Sequence, residues 1–138
     1  MKGQAAWLLK TEPSEYSYDE LERDGATVWD GVSNPVALKN LRAMRQGELA
    51  VVYHTGGEKA AVGIARVSRV ATSDPAGKDA KGVVVELEPR GRLARPVTLA
   101  AMKAMPAFAQ SPLVRQGRLS VVPLTGAQWK ALEQASRR

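Results

Sequence analysis

Cysteine is absent from the 138 residues, and histidine occurs once, as His54. Without thiols there is no disulfide framework and no thiolate site. A zinc centre would have to combine one imidazole with carboxylates of no recognisable spacing, so no metal is expected, and nothing in the sequence calls for another cofactor. No apolar run approaches the roughly 20 residues of a membrane helix. The stretch Ala5–Leu9 is too short for a signal-peptide core and has no cleavage pattern after it. These absences favour a soluble cytoplasmic protein without membrane contact. Thr55-Gly56-Gly57-Glu58-Lys59 has glycines but lacks the phosphate-loop spacing, and no helix follows it. No serine sits in a strand–turn–helix elbow, so His54 reads first as a hydrogen-bonded structural residue and only second as a catalytic base. There is no internal repeat and no linker rich in Pro, Gly or Ser. Residues 1–138 are therefore expected to form one domain, and nothing along the chain points beyond a monomer.

What is present is an ordinary globular balance, 44% hydrophobic and 25% charged, with an uneven charge distribution. Residues 1–65 carry seven Lys and Arg against nine Asp and Glu, a net of −2, while residues 66–138 carry thirteen against five, a net of +8. A basic half on a chain of pI ≈ 9.9 points to an anionic partner, nucleic acid before others, against the alternative of a solvated basic face. Aromatic residues are few, and five of the seven (Trp7, Tyr16, Tyr18, Trp29, Tyr53) lie in the first 54 positions.

Local patterns predict the elements. Ala6-Trp7-Leu8-Leu9 reads as a buried strand, broken at Pro13. Ser17 and Glu20 form a capping box for a short helix ending at Asp24-Gly25. Thr27-Val28-Trp29 reads as a brief strand, and Asn34-Pro35 as the cap and first position of a helix ending near Gln46-Gly47. Strands are predicted over 49–54, 61–67, 83–88 and 119–122, with Gly63 marking a bulge or a close backbone approach. Thr98 caps a helix expected over 99–105, and Thr125 with Gln128 opens a terminal helix. Five or six strands without regular βαβ alternation argue for an α+β fold. Its sheet would be mixed, mainly antiparallel and curled towards a barrel, with short helices on its rim.

Two segments carry the chemistry. Lys10-Thr11-Glu12-Pro13-Ser14-Glu15-Tyr16 sets a cation, hydroxyls and a carboxylate just past a buried strand; it is either a polar turn or a wall of donors and acceptors facing a pocket. Trp29-Asp30-Gly31-Val32-Ser33-Asn34 sets an indole before a tight turn and an amide; it is either a core Trp with a helix cap or a stacking face with polar neighbours.

These two blocks, with Asn40-Leu41-Arg42-Ala43-Met44, Val62-Gly63-Ile64-Ala65 and Pro112–Val121, run in the order of the EVE domain, which the chain resembles from Trp7 to Trp129. That is the family of the thymocyte nuclear protein and of many small bacterial proteins. The resemblance implies a PUA-like pseudobarrel with peripheral helices, related to the YTH and ASCH domains, that holds a modified nucleic-acid base in a pocket. No settled enzymatic activity goes with the family, so catalysis is not the first expectation. Two departures bear on how nucleic acid is met. Ser33 stands where the family commonly has Arg, and the loop after Val70 is short.

A protein that reads one base must unstack it, recover energy by aromatic stacking and discriminate by hydrogen bonds to the base edge. On this reading Trp29 is the stacking face, and Lys10, Thr11, Glu12, Ser14, Asp30 and Asn34 are candidate readers of the base edge. Val32 would seat an added methyl, and Arg118 and Ser120 lie near the pocket. Arg90, Arg92, Arg95 and Arg115 would meet the phosphate backbone. The partner is then nucleic acid, DNA or RNA, carrying a modified cytosine or adenine flipped from its stack. The alternative is a small amidohydrolase of the ASCH type acting on a modified nucleoside, with Thr11 as nucleophile, Lys10 as its activator and Glu12 as acid or base.

Overall fold

In the computed structural model, which describes residues 6–29, 34–72 and 83–137, apolar runs become strands wherever both faces are covered. The first strand, β1 (Ala6–Thr11), is buried from Ala6 to Leu9 and stops before Pro13. The capping box at Ser17 closes as expected: the Ser17 hydroxyl accepts from the Glu20 N–H, and the Glu20 carboxylate accepts from the Ser17 N–H. It opens α1 (Tyr18–Asp24), which ends on Gly25 in the left-handed region. After β2 (Thr27–Trp29), Asn34 accepts from the Val36 and Ala37 N–H groups and starts α2 (Pro35–Ala43). That helix stops three residues short of Gln46, because Met44 turns extended and buries its side chain.

Next come β3 (Leu49–His54), β4 (Ala60–Thr72) and β5 (Val83–Thr98). The last of these is far longer than the predicted 83–88. It runs on through Pro89 and Pro96, which lack an N–H, and its pairing with β4 breaks register three times. Thr98 caps α3 (Leu99–Lys103), shorter than expected because a 3-10 turn at Pro106–Phe108 takes over. A short helix not foreseen, α4 (Pro112–Arg115), follows. The final strand, β6 (Val121–Leu124), lies two residues beyond its predicted position, and α5 (Gly126–Ser136) closes the chain from the Thr125–Gln128 capping box.

The six strands form one mixed sheet in the order β2-β5-β4-β3-β1-β6, curled into a half-barrel with short helices around it, the expected α+β pseudobarrel. Four pairings are antiparallel; β1 and β3 are parallel, with Lys10 opposite Tyr53 and Thr11 opposite His54. Among the described residues no helix is long and apolar enough to cross a membrane.

Gly63 explains how α1 docks. The register of β3 against β4 shifts between Val52 and Tyr53, and Gly63 lies beside the bulge. A Cβ at Gly63 would stand 2.4 Å from Tyr18 Cζ, so only glycine lets the ring lie on the strand. The Tyr18 hydroxyl donates to Ile64 O at 2.6 Å and accepts from the Gly91 N–H at 3.0 Å, so it joins α1 to both β4 and β5.

Candidate functional site

The C-terminal end of β1 presents Lys10 and Thr11 to opposite faces of the sheet, since successive strand residues alternate. On the face shared with Tyr53, Lys10 is half-buried; its ammonium donates to Gly117 O at 2.8 Å and lies 5.7 Å from the centre of the Tyr53 ring. Burial lowers its pKa from the ordinary lysine value. Burial likewise pushes the Tyr53 phenol up. On the other face Thr11 donates to Tyr16 O at 2.8 Å. The Glu12 carboxylate accepts from the hydroxyls of Ser14 and Thr55, each at 3.2 Å, and covers Gly56, where a Cβ would come within 2.9 Å of it. Thr11 and Lys10, the nucleophile and activator of the amidohydrolase alternative, thus stand on opposite faces of the sheet. Each is engaged with a different neighbour.

His54 is also accounted for. It is buried, its Nε2 accepts from the Tyr18 N–H at 3.0 Å, and its Nδ1 faces Glu58 Oε1 at 2.8 Å. It fastens the start of α1 to the end of β3, the structural role given first from the sequence.

The turn after β1 delivers Tyr16 to Trp29. The N–H groups of Glu15 and Tyr16 both donate to Glu12 O, at 2.8 and 2.9 Å, and fold the chain back. The Tyr16 ring meets the Trp29 indole edge to face, with centres 6.4 Å apart and planes at 85°. Its hydroxyl donates to Asp24 Oδ2 at 2.9 Å; burial first, then the carboxylates of Asp24 and Glu20, raise its pKa against the opposing hydrogen bond with Thr27. Trp29 itself is half-buried on the edge strand β2, opposite Val85, so one part of the indole is packed and another open. Tyr16 was not among the expected site residues; an aromatic immediately before the helix cap Ser17 was the available signal.

On the other side, Asn34, Val36, Gln116, Gly117, Arg118 and Leu119 line a cavity of about 280 Å³. This brings Asn34 and Arg118 together, but in a cavity that Trp29 does not line, and adds Gln116, from the Pro112–Val121 block, and Val36, which no motif marked. The Asn34 side-chain oxygen is held by its helix cap, so only its NH₂ faces outward as a donor. Ser120 is half-buried, and its carbonyl accepts from the Lys10 N–H at 2.9 Å. Lys10 thus ties the cavity wall to β1 through both its backbone and its side chain. Asp30, Val32 and Ser33 lie outside the described residues, as does the loop of residues 73–82.

The four arginines expected on the phosphate backbone divide. Arg90, Arg95 and Arg115 are exposed. Arg92 is not free in the same sense: it pairs with Asp19 and, at 3.2 Å, with Glu22, and its guanidinium lies 5.3 Å from the centre of the Tyr18 ring. Two carboxylates from α1 already balance its charge, which makes it a clamp on that helix. Among the described residues no cluster of three His, Asp or Glu could hold a metal ion.

The model of the EVE domain family matches residues 5–135. The solved structure of a Rhodopseudomonas palustris protein is 40% identical, covers 96% of this chain and 93% of its own, and superimposes with a TM-score of 0.87. Human thymocyte nuclear protein 1, solved in complex with DNA containing 5-methylcytosine, shares the fold over 99% of each chain, with a TM-score of 0.85 at 24% identity. Thymocyte nuclear protein 1 of Gallus gallus is 35% identical over 80 residues, 49% of this chain, and the match spans 33% of that protein's length.

Proposed function

Because the chain belongs to the EVE domain family, we propose that it is a non-catalytic nucleic-acid-binding module that takes up one modified base, flipped from its strand, against Trp29. The half-open indole carries this reading. A Trp needed only for the core would be enclosed, whereas this one stands on an edge strand, braced on one side by Tyr16 and accessible on another. Extruding a base costs a few kcal/mol, and stacking on an aromatic face returns roughly 1–3 kcal/mol. A rigid brace matters here because a ring held in place before binding loses less freedom when the base arrives.

Discrimination requires hydrogen bonds. The Glu12 carboxylate keeps lone pairs beyond the two hydroxyls it holds and suits an exocyclic amine, as in cytosine or adenine. By their place in the sequence, Asp30 and Val32 add a second carboxylate and an apolar seat for a methyl group. The human relative was solved with 5-methylcytosine in DNA, so 5-methylcytosine is the first base to test, with modified adenine and RNA hosts beside it. We further propose a cytoplasmic monomer, which cell fractionation and sedimentation would check.

The test is a binding titration of the purified chain with short oligonucleotides that differ only in the modification of one base. Trp29→Ala should lower the affinity for the modified oligonucleotide about tenfold, from the lost stacking, with an unchanged far-ultraviolet circular dichroism spectrum. An unaltered affinity removes Trp29 from the site.

A further inference from the structure

The cavity between the start of α2 and the segment before β6 shares no lining residue with the pair Tyr16–Trp29. Its polar groups are of one kind. Arg118 offers guanidinium donors and no acceptor, and Asn34 presents an NH₂ because its oxygen is held by the cap. Of the side chains lining it, only the Gln116 amide brings an acceptor, and none is a carboxylate. The remaining wall is apolar: Val36 is 48% exposed, and Leu119 lies buried behind it. Cationic donors beside an apolar shelf fit an anionic group attached to a flat ring. At about 280 Å³ the space falls just below the range of roughly 300–1,000 Å³ that encloses a drug-sized ligand, so it suits a single small unit.

We infer that this cavity is a second subsite that receives the nucleotide flanking the modified base, with the phosphate against Arg118 and the ring against Val36. The inference rests on the reading that Trp29 holds the modified base. Five Cα–Cα steps join Trp29 to Asn34, which keeps their separation below about 18 Å. Arg115, exposed at the end of α4 three residues before Arg118, continues the cationic edge along which the strand would leave. The backbone of the wall carrying Arg118 is fixed from behind by the Lys10 bond to Gly117 O. Affinity is then divided between two places: Trp29 selects the base, and this cavity supplies strand context.

The discriminating variant is Val36→Glu. Val36 is exposed in the first turn of α2, where an acidic residue favours the helix, so the fold should stand, and an unchanged melting temperature checks it. The probes are 5-methylcytidine alone and a DNA trinucleotide with 5-methylcytosine at its centre, each with its unmethylated counterpart. The native chain should bind the methylated trinucleotide at least about tenfold more tightly than the nucleoside, from a charge-assisted contact. Val36→Glu should remove that gain and bind the nucleoside as the native chain does. Equal trinucleotide affinity for the native chain and Val36→Glu overturns the subsite. If methylated and plain trinucleotides bind the native chain alike, yet both weaken in Val36→Glu, the cavity is a nucleotide site and the base-reading role of Trp29 fails instead. No binding of any trinucleotide overturns both.

Discussion

Two segments meet at the same end of the sheet and are built on opposite terms. From Lys10 to Asp24 almost every polar side chain is engaged within the protein: Thr11 with Tyr16 O, Ser14 and Thr55 with Glu12, Tyr16 with Asp24, and Asp19 and Glu22 with Arg92. From Arg115 to Leu119 the side chains of Arg115, Gln116 and Arg118 are exposed. Both segments are polar, and by composition they look equally suited to a ligand. The difference teaches that polar density alone does not mark a contact surface. In the first segment the hydrogen bonds fix a turn and, through it, the attitude of Trp29; in the second the donors face outward.

The comparison breaks first at Gly63. Placing Val there drives a side chain into the Tyr18 ring, and the backbone of a central strand cannot yield easily. Gly63→Val should cost about 3 kcal/mol of stability in a denaturant titration, with base discrimination lost through displacement of α1 and Tyr16. A stable Gly63→Val protein would mean that α1 is not seated as described. The second segment should answer differently. Arg115→Ala and Arg118→Ala, being exposed, should each shift stability by no more than about 0.5 kcal/mol. Each should also lower the slope of log affinity against log salt by about one. Unchanged salt slopes in both variants would take the phosphate path away from this edge.

How much of this was legible beforehand depends on how local each feature is. Caps were readable because donor and acceptor lie three residues apart: Ser17 with Glu20, Asn34 with Ala37, and Thr125 with Gln128 all formed as expected. Gly63 was readable as a close approach, though not as an approach by Tyr18. The parallel pairing of β1 with β3 was not readable, because buried apolar strands record their burial and not their neighbour. The length of β5 was hidden by Pro89 and Pro96, which ordinarily end a strand and here sit where register breaks. Arg92 looked like any other arginine of the basic half; only the placement of α1 shows that Asp19 and Glu22 claim it. Trp29 and Asn34 could be named from their block, but whether the indole was sealed or open depended on β2 being an edge strand.

Lys10 belongs to both segments, and its titration tests how tightly they are joined. Its ammonium is disfavoured by burial, so its pKa in the folded chain lies below 10.5. Between that lowered value and 10.5 the unfolded chain binds more protons than the folded one, and stability rises with pH. Tyr16, Tyr18 and Tyr53 have pKa values raised above 10.0, in each case chiefly by burial. Above that pH the unfolded chain ionises first, and stability falls as pH increases. The native protein should therefore show two opposed contributions in alkaline solution. Lys10→Met keeps the aliphatic packing over Tyr53 and removes only the rising one, so its stability should decline from about pH 10 with no preceding gain. At neutral pH the lost bond to Gly117 O, about 1 kcal/mol, is offset by the removed burial of charge, so the net change there should be small. Matching pH profiles for Lys10→Met and the native chain would show that the ammonium is solvated. The tie between the two segments would then rest on the backbone bond to Ser120 O alone.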